Sequence, residues 1–529
     1  MPHLYALVRV PLLALCLAFL TINRASAADN HEIAPATAYT KLLVNAVTFS
    51  GNRAFSNEQL SAAIQADLGR QMSLEDIKAL AAKVELHYRN AGYALVKVVV
   101  PVQDFAPAKA VELVVLEGWL GSLQVRGAQR FPTVQVEQAF LAESVAQGKP
   151  FTLGAAERAL TRLNRLSGIQ VTSTLRPGEE LGSTDVLVDV TESPRVQGAI
   201  EMNNYGNSSS GAYRVVPQLK FANLTGRGDE ANIMGMTSLG HGALWFGYLD
   251  YSLPVNAYGT KARAYYARGN VDLGGAYQVL EIEGDNTTWG LGLSHDVVRS
   301  ERDVLTVETW LESQDLQQRI LGVLQAEDKI RKLRVGLTWD RADLYGRTLA
   351  AVGLQYGLGD GLGGMSDSSQ MSSRSGVQAD NRFTKLTFEL SRLQQLAPRW
   401  LLIPRVAGQY ASRSLVASEQ WGIGGFNSVS GHAPSTFAGD QGYTASVEGR
   451  YALLKDSNRY QATARLEHGQ VWLKQGLVGQ DTNPHLTGMT VGLLARPIDR
   501  LEMRIDLGKP IGGRTEKKAY LYAKLRYHF

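Results

Sequence analysis

Four residues with the side chains of a hydrolase lie in one glycine-rich stretch: Ser428, Ser430, His432 and Asp440, within GGFNSVSGHAPSTFAGDQGY at residues 424–443. A serine activated by a histidine, itself oriented by an acid, is the constellation of acyl-transfer enzymes. The nucleophile of an α/β-hydrolase sits inside Gly-x-Ser-x-Gly on a strand-to-helix turn. NSVSGH has no such frame, and no helical pattern follows it. The second glycine-rich stretch, GLGDGLGG at 357–364, lacks the Lys-Ser/Thr and the ensuing helix of a phosphate loop, and reads as an external loop. The nine histidines show no H-x-x-x-H pair or other metal spacing. The expectation is a protein with no catalytic, cofactor or metal site, in which the glycine-rich stretch is a long loop between strands.

The elements that carry this loop are extracytoplasmic. Arg9, an apolar run over 10–22 and Ala25-Ser26-Ala27 form a secretory signal peptide with cleavage expected after Ala27. The single cysteine, Cys16, lies inside that signal, so no disulfide is expected. The formal charge of +4 becomes +2 once Arg9 and Arg24 are removed, too near neutral to suggest nucleic acid as a partner. Residues 28–40 contain Pro35 and no helical periodicity, and read as a short tether rather than a plug helix.

Two compositions meet near Pro194. Before it, one β-α-α-β-β unit is used twice. In the first, residues 41–50 read as a strand and Gly51-Asn52 as its turn. Asn57 is placed as the cap of a helix to Leu68. Ser73 and Asp76 frame a capping box. Leu74, Ile77, Leu80, Ala81, Val84 and Tyr88 share one helical face, and strands 95–100 and 111–117 follow. The second repeats the order: strand 122–126, turn at Gly127, helices 133–144 and 153–166, strands 169–176 and 185–191. Strands 95–100 and 169–176, with Leu95, Val96, Val98, Val100, Ile169 and Val171, are candidate edges on which an extended chain could add.

After Pro194, period-two alternation recurs in about sixteen segments, an even count as bacterial outer-membrane barrels require. Connections after even segments are short (254–258, 343–345, 497–500). Those after odd segments are long: 271–286, 314–331, 358–380 and 413–441. A soluble β-sandwich has no reason to sort its loops by parity. The last segment, AYLYAKLRYHF, puts Leu521, Ala523, Leu525, Tyr527 and Phe529 on one face and Tyr520, Tyr522, Lys524, Arg526 and His528 on the other, as lipid outside and water inside demand. A passive porin would need no periplasmic units.

HYRNAGYALVKVVVPVQDF (87–105) and LVVLEGWLGSLQVRG (113–127) closely resemble the first periplasmic repeat, or POTRA domain, of two-partner secretion outer-membrane transporters, the haemolysin secretion/activation (ShlB/FhaC/HecB) family. ERALTRLNRLSGIQVTSTLRPGEELGSTDVLVDVTE (157–192) resembles the second, and YSLPVNAYGTKARAYY (251–266) an early barrel hairpin. The resemblance implies two POTRA domains (41–118 and 119–193) followed by a 16-stranded antiparallel transmembrane β-barrel (194–529) in the outer membrane of a Gram-negative bacterium. It implies export of a large unfolded β-helical partner protein of the TpsA type, without nucleotide, from a site among outer-membrane lipid reached through the barrel-assembly machinery. An assembly factor of the same superfamily is the alternative. The resemblance also implies that loop 413–441 folds into the lumen, its tip motif at Val429, Ser430, Gly431 and His432 and its partner strand motif at Arg465, Glu467 and Gly469. The family carries arginine at the tip and aspartate on the strand. Here the positions hold Ser430 and Glu467, and an arginine stands at 465. The terminal Tyr527 and Phe529 resemble the barrel-assembly signal.

Overall fold

The computed structural model describes residues 41–103, 110–180, 182–240, 242–256, 258–300, 302–366, 370–513 and 518–529. The signal peptide and the tether expected over 1–40 lie outside the described residues.

The first unit contains β1 (Leu42–Val44), β2 (Val47–Ser50), α1 (Asn57–Ile64), β3 (Arg70–Met72), α2 (Leu74–Asn90), β4 (Val96–Val99) and β5 (Val111–Glu117). The single strand expected over 41–50 is two. β1 pairs with β3, whereas β2 joins a sheet of order β2-β5-β4. The cap of α1 is Ser56, not Asn57. The Gln59 N–H donates to the Ser56 hydroxyl at 3.3 Å, and the Ser56 N–H donates to the Gln59 side chain at 2.9 Å, a reciprocal box like that of Ser73 and Asp76 on α2. Ile77, Leu80, Ala81, Val84 and Tyr88 are buried against the sheet, while Leu74 stays exposed.

The second unit holds β6 (Trp119–Arg126), α3 (Thr133–Leu141), α4 (Leu153–Leu163), β7 (Ile169–Pro177) and β8 (Ser183–Glu192), with sheet order β6-β8-β7. Each unit has its own apolar core. The repeat extends to single atoms. Gly51 and Gly127 turn the chain after the first strand of each sheet with φ +81° and +77°. A Cβ would lie 2.4 Å from the Val115 carbonyl oxygen in one case and 2.3 Å from that of Val190 in the other. Only glycine fits both the dihedral and the approach.

Each turn is then held by a carboxylate from the last strand. Glu117 accepts the N–H groups of Arg53 and Ala54 and the Tyr88 hydroxyl, at 2.7–2.9 Å. Glu192 accepts those of Gln129, Arg130 and Phe131 at 2.7–3.0 Å. Burial alone would raise the Glu192 carboxyl. The three N–H donors and the Arg130 guanidinium override it and hold it at about 2. A depressed folded value contributes stability above the unfolded carboxylate value, and that stability is lost as pH falls through the folded one. Glu192→Gln is expected to destabilise the second unit by about 1–3 kcal/mol near neutral pH. It is also expected to flatten the loss of stability below about pH 4.5. Urea unfolding followed at several pH values measures both.

Sixteen strands then close a barrel. The first eight are β9 (Val196–Asn203), β10 (Tyr213–Ala222), β11 (Glu230–Leu239), β12 (Ala243–Pro254), β13 (Thr260–Asp272), β14 (Glu283–Arg299), β15 (Asp303–Ile320) and β16 (Val323–Asp343). β17 (Gly346–Gly357), β18 (Thr384–Ala397) and β19 (Trp400–Ala411) follow, then a small hairpin of β20 (Trp421–Ile423) and β21 (Phe437–Gly439) outside the barrel sheet. β22 (Gln441–Leu454), β23 (Ser457–Trp472), β24 (His485–Ala495), β25 (Leu501–Gly512) and β26 (Tyr520–His528) complete it, and β26 pairs with β9.

Most loops sort by parity as expected, the short connection 240–242 after β11 being an exception, and one expected loop is corrected. The long loop expected over 314–331 is strand. β15 and β16 continue past the barrel rim and turn at Leu321-Gly322, both with positive φ. QDLQQRI is mostly polar, and the covered face of AEDKIRK alternates Ala326, Asp328 and Ile330, all buried, so its middle residue is a charged one and the alternation is not apolar. The longest connections are 358–383 and 412–440. Outward positions such as Leu249, Leu291, Leu521 and Leu525 are exposed to lipid, whereas Tyr522 between the last two is buried. Among the described residues no helix is long and apolar enough to cross a membrane.

Candidate functional site: the lumen loop and its seat

The chain leaves β19 and runs through β20, the tip 424–436 and β21 before rejoining the barrel at β22. Val429 and Ser430 are fully buried and His432 is 1% exposed. The strands supply a socket of small residues. A Cβ on Gly488 (β24) would lie 1.9 Å from the Ser430 carbonyl oxygen, and one on Gly469 (β23) 3.0 Å from Val429. Gly431, at φ +82°, presses within 2.5 Å of the Lys509 backbone by the same measure. Its N–H donates to the Tyr522 hydroxyl at 3.0 Å.

Glu467 meets the tip. The Ser430 N–H donates to its carboxylate at 2.8 Å, and the Ser430 hydroxyl bonds to the same oxygen and to the Thr490 hydroxyl. Two residues along β23, Arg465 reaches the other Glu467 oxygen at 3.1 Å, so the counter-charge comes from the strand and not from the loop. The Arg465 guanidinium also donates to the Phe426 carbonyl at 3.0 Å and lies 4.6 Å from the centre of the Phe426 ring. His432 Nε2 bonds to the Thr487 carbonyl at 3.0 Å. Asp440 accepts from Arg374 and from the Leu415 N–H. Ser430, His432 and Asp440 are thus engaged in holding a buried loop, with the Ser430 hydroxyl committed to Glu467 and Thr490, whereas the buried Ser428 hydroxyl has no hydrogen-bond partner among the described residues.

Phe426 is the anchor that sequence reasoning missed. Tyr205 stacks on it at 4.2 Å and Tyr522 lies 5.1 Å away, with Arg504 on β25 at 5.3 Å. Arg504 is itself held by Glu448 at 3.0 Å and Asp506 at 2.7 Å. A ring between two guanidiniums and two tyrosines gains from cation–π and aromatic contacts together. The one local signal was a lone aromatic in a glycine-rich tip; its neighbours come from three distant strands and the segment after β9.

The periplasmic strands named from the sequence are sheet edges. Val96, Val98, Ile169 and Val171 point into the cores, so what β4 and β7 offer outward is backbone. Leu95 packs on the core of the second unit, and Val100 on that of the first. Each edge is stopped at one residue. Glu85 on α2 accepts the Val98 N–H at 3.0 Å, and the Asn164 side chain brackets Val171, donating to its carbonyl at 2.8 Å and accepting its N–H at 2.6 Å. Burial would raise the Glu85 carboxyl, but the Val98 N–H, Lys97 and Arg89 overcome it and lower it. Beyond Val171, the outward groups of Ser173 and Leu175 continue the edge.

The second unit is seated on the barrel mouth. The Ser167 N–H donates to the Gly228 carbonyl at 3.2 Å, and the Lys261 ammonium to the Arg165 carbonyl at 3.3 Å. Arg165 also pairs with Asp296. A cavity of about 310 Å³ lined by Arg165, Glu230, Asp250, Lys261, Arg263 and Glu308 opens there. At the far end of the chain, Tyr527 and Phe529 face outward. The Phe529 ring fills the place of a Gly198 side chain.

A family model described as haemolysin secretion/activation protein ShlB/FhaC/HecB matches residues 182–495, and one described as POTRA domain, ShlB-type, matches residues 42–118. The heme/hemopexin transporter protein HuxB of Haemophilus influenzae (strain 86-028NP) is 24% identical over 76% of this chain and 70% of its own. The outer membrane transporter CdiB of Dickeya dadantii (strain 3937) is 24% identical over 78% and 72%. The solved structure of CdiB from Escherichia coli matches with a TM-score of 0.76 at 20% identity, covering 96% of this chain and 93% of that one, a likeness of fold.

Proposed function

From the premise that the chain belongs to the haemolysin secretion/activation family ShlB/FhaC/HecB, and is an outer-membrane transporter with its POTRA units in the periplasm, we propose how it exports its secreted partner protein. The partner is a large TpsA-type exoprotein that arrives unfolded and is captured by the POTRA pair. It then passes through the barrel without nucleotide as loop 412–440 yields. The observation that carries this reading is a closed sixteen-stranded barrel whose lumen is filled by its own loop, with a sheet-bearing unit seated on its periplasmic mouth. A filled lumen does not suit a passive pore. It suits a conduit opened by its cargo. Insertion into lipid through Phe529 and the barrel-assembly machinery belongs to the same proposal.

Capture is by strand addition, in which backbone hydrogen bonds give affinity and the side-chain pattern gives choice. The free stretch of the β7 edge is 173–175, because Asn164 blocks Val171. Ser173→Pro removes one outward N–H while leaving the β7–β8 ladder intact. Purified 40–192 is expected to bind the partner's N-terminal domain, and Ser173→Pro to weaken that binding by up to about tenfold, the worth of one such bond. Equal affinity for both, or no binding at high micromolar concentration, contradicts capture at this edge. A strain lacking the protein that loses many barrel proteins at once would favour the assembly-factor reading instead.

A further inference from the structure

The outer end of the barrel carries a second closure that the lumen tip does not explain. Segment 370–383 of the loop between β17 and β18 lies across the extension of β16 and the two legs of the inward loop. Its underside is apolar: Val377 and Phe383 pack with Ile330 of β16 and with Ala411, Leu415 and Val416, where the inward loop begins. Its edge contacts with β16 imitate a strand without being one. The Glu327 N–H donates to the Met371 carbonyl at 2.7 Å, and the buried Asn381 side chain brackets Arg331, accepting its N–H at 3.3 Å and donating to its carbonyl at 3.1 Å. Such point contacts can part without unravelling the barrel ladder.

Two ion pairs among the described residues tie this segment to the inward loop: Asp380 with the exposed Arg413 at 3.9 Å, and the buried pair of Arg374 and Asp440. The Arg374 guanidinium donates to Asp440 and, at 2.6 Å, to the Leu415 carbonyl. Asp440 is fully buried at the point where the inward loop re-enters the barrel. It also accepts the Leu415 N–H at 2.8 Å, the Gln420 side chain at 3.2 Å and the Lys474 N–H at 2.8 Å. One carboxylate therefore gathers the external segment, both legs of the inward loop and the connection after β23. Against this works Asp328. It is fully buried under the same segment, with one oxygen accepting the Ser373 N–H at 2.9 Å and the other without a partner among the described residues. A carboxylate buried in this way disfavours the closed arrangement.

We propose that Arg374 is a latch. Paired with Asp440, it fastens segment 370–383 over the outer exit and makes that segment and the inward loop release together, while buried Asp328 keeps the closed state shallow enough to open without an energy source. The proposal rests on the transport reading, but its test does not need the partner. Single-channel recordings in planar bilayers are compared for Arg374→Ala, Arg374→Lys and Asp328→Asn, each checked for its heat-modifiable folded band. Arg374→Ala is expected to raise the open fraction at least about threefold, Arg374→Lys to restore it, and Asp328→Asn to lower it. A folded Arg374→Ala channel as quiet as the parent, or Asp328→Asn opening more, overturns the proposal. A disulfide between Glu327→Cys and Met371→Cys decides the matter if Arg374→Ala does not fold. Oxidation is expected to abolish openings and thiol reduction to restore them, and unchanged openings in a fully cross-linked channel overturn it. Altered gating with normal secretion of every exoprotein would uphold the latch and remove the transport reading.

Discussion

Glu467→Ala lowers secretion by about tenfold or more, whereas Ser430→Ala lowers it by less than about threefold; the two are separated by what each leaves unpaired. Removing the Glu467 carboxylate takes the acceptor from the Ser430 N–H and hydroxyl at once, and strands Arg465, which is 13% exposed, in the lumen wall. Losing one partner of a buried pair costs about 3–5 kcal/mol, much of it the penalty on the charge left behind. Ser430→Ala leaves the backbone N–H on Glu467 and leaves Arg465 paired. It removes only a hydroxyl, whose bond to a charged partner is worth about 1.5–3 kcal/mol. The Phe426 stack, the Gly431–Tyr522 bond and the His432–Thr487 bond remain to hold the tip. Secretion of the partner, normalised to folded barrel, measures the split. Abolition by Ser430→Ala with a silent Glu467→Ala would contradict it.

Deleting Phe529 removes most of the folded barrel, while Arg526→Ala leaves most of it. The seam between β26 and β9 has five paired positions, from Lys524↔Asn203 to His528↔Ala199. Phe529 adds two more hydrogen bonds, its N–H to the Gly198 carbonyl at 3.0 Å and the Gly198 N–H to its own carbonyl at 2.9 Å. The ring also covers Gly198 on the lipid side. These bonds form the last rung of the seam, and a barrel left open at its seam presents unpaired strand edges to lipid. Arg526 faces the lumen, where it donates to Gln218 at 2.7 Å and lies 3.7 Å from Glu201. Water inside the barrel can replace those contacts. Heat-modifiable mobility compares the variants, and equal loss from both would contradict the assignment of faces on this strand.

The barrel was legible because lipid on one side and water on the other write themselves into a strand with period two, and the family was legible only as a resemblance carried by the stretches 87–127 and 157–192. AYLYAKLRYHF shows both faces without any structure. The periplasmic repeat was legible at Gly51 and Gly127 and at the Ser73 box, where local backbone demands select the residue. Legibility failed at the upper parts of β15 and β16: residues 314–320 are mostly polar, and the buried face of 326–330 holds Asp328 between Ala326 and Ile330, so a strand looked like a loop. It failed by one residue at Ser56, because Asn57 is an equally good capping type and only the reciprocal Gln59 bond decides. The seat of the lumen loop was half legible. Arg465 and Glu467 share a face at a spacing of two, and the structure pairs them. The contacts of Phe426 with Tyr205, Arg504 and Tyr522 were out of reach, since closing the barrel is what brings β26 beside β9.

The central claim is that this chain exports one partner protein. The direct measurement is the set of secreted proteins from a strain lacking it, from the same strain carrying the intact gene, and from the same strain carrying Glu467→Ala. The account predicts that one very large secreted protein disappears in the first, returns in the second and stays depleted in the third, while other outer-membrane barrels keep their abundance. An unchanged set of secreted proteins, or a general fall in barrel proteins with no single exoprotein lost, would contradict it.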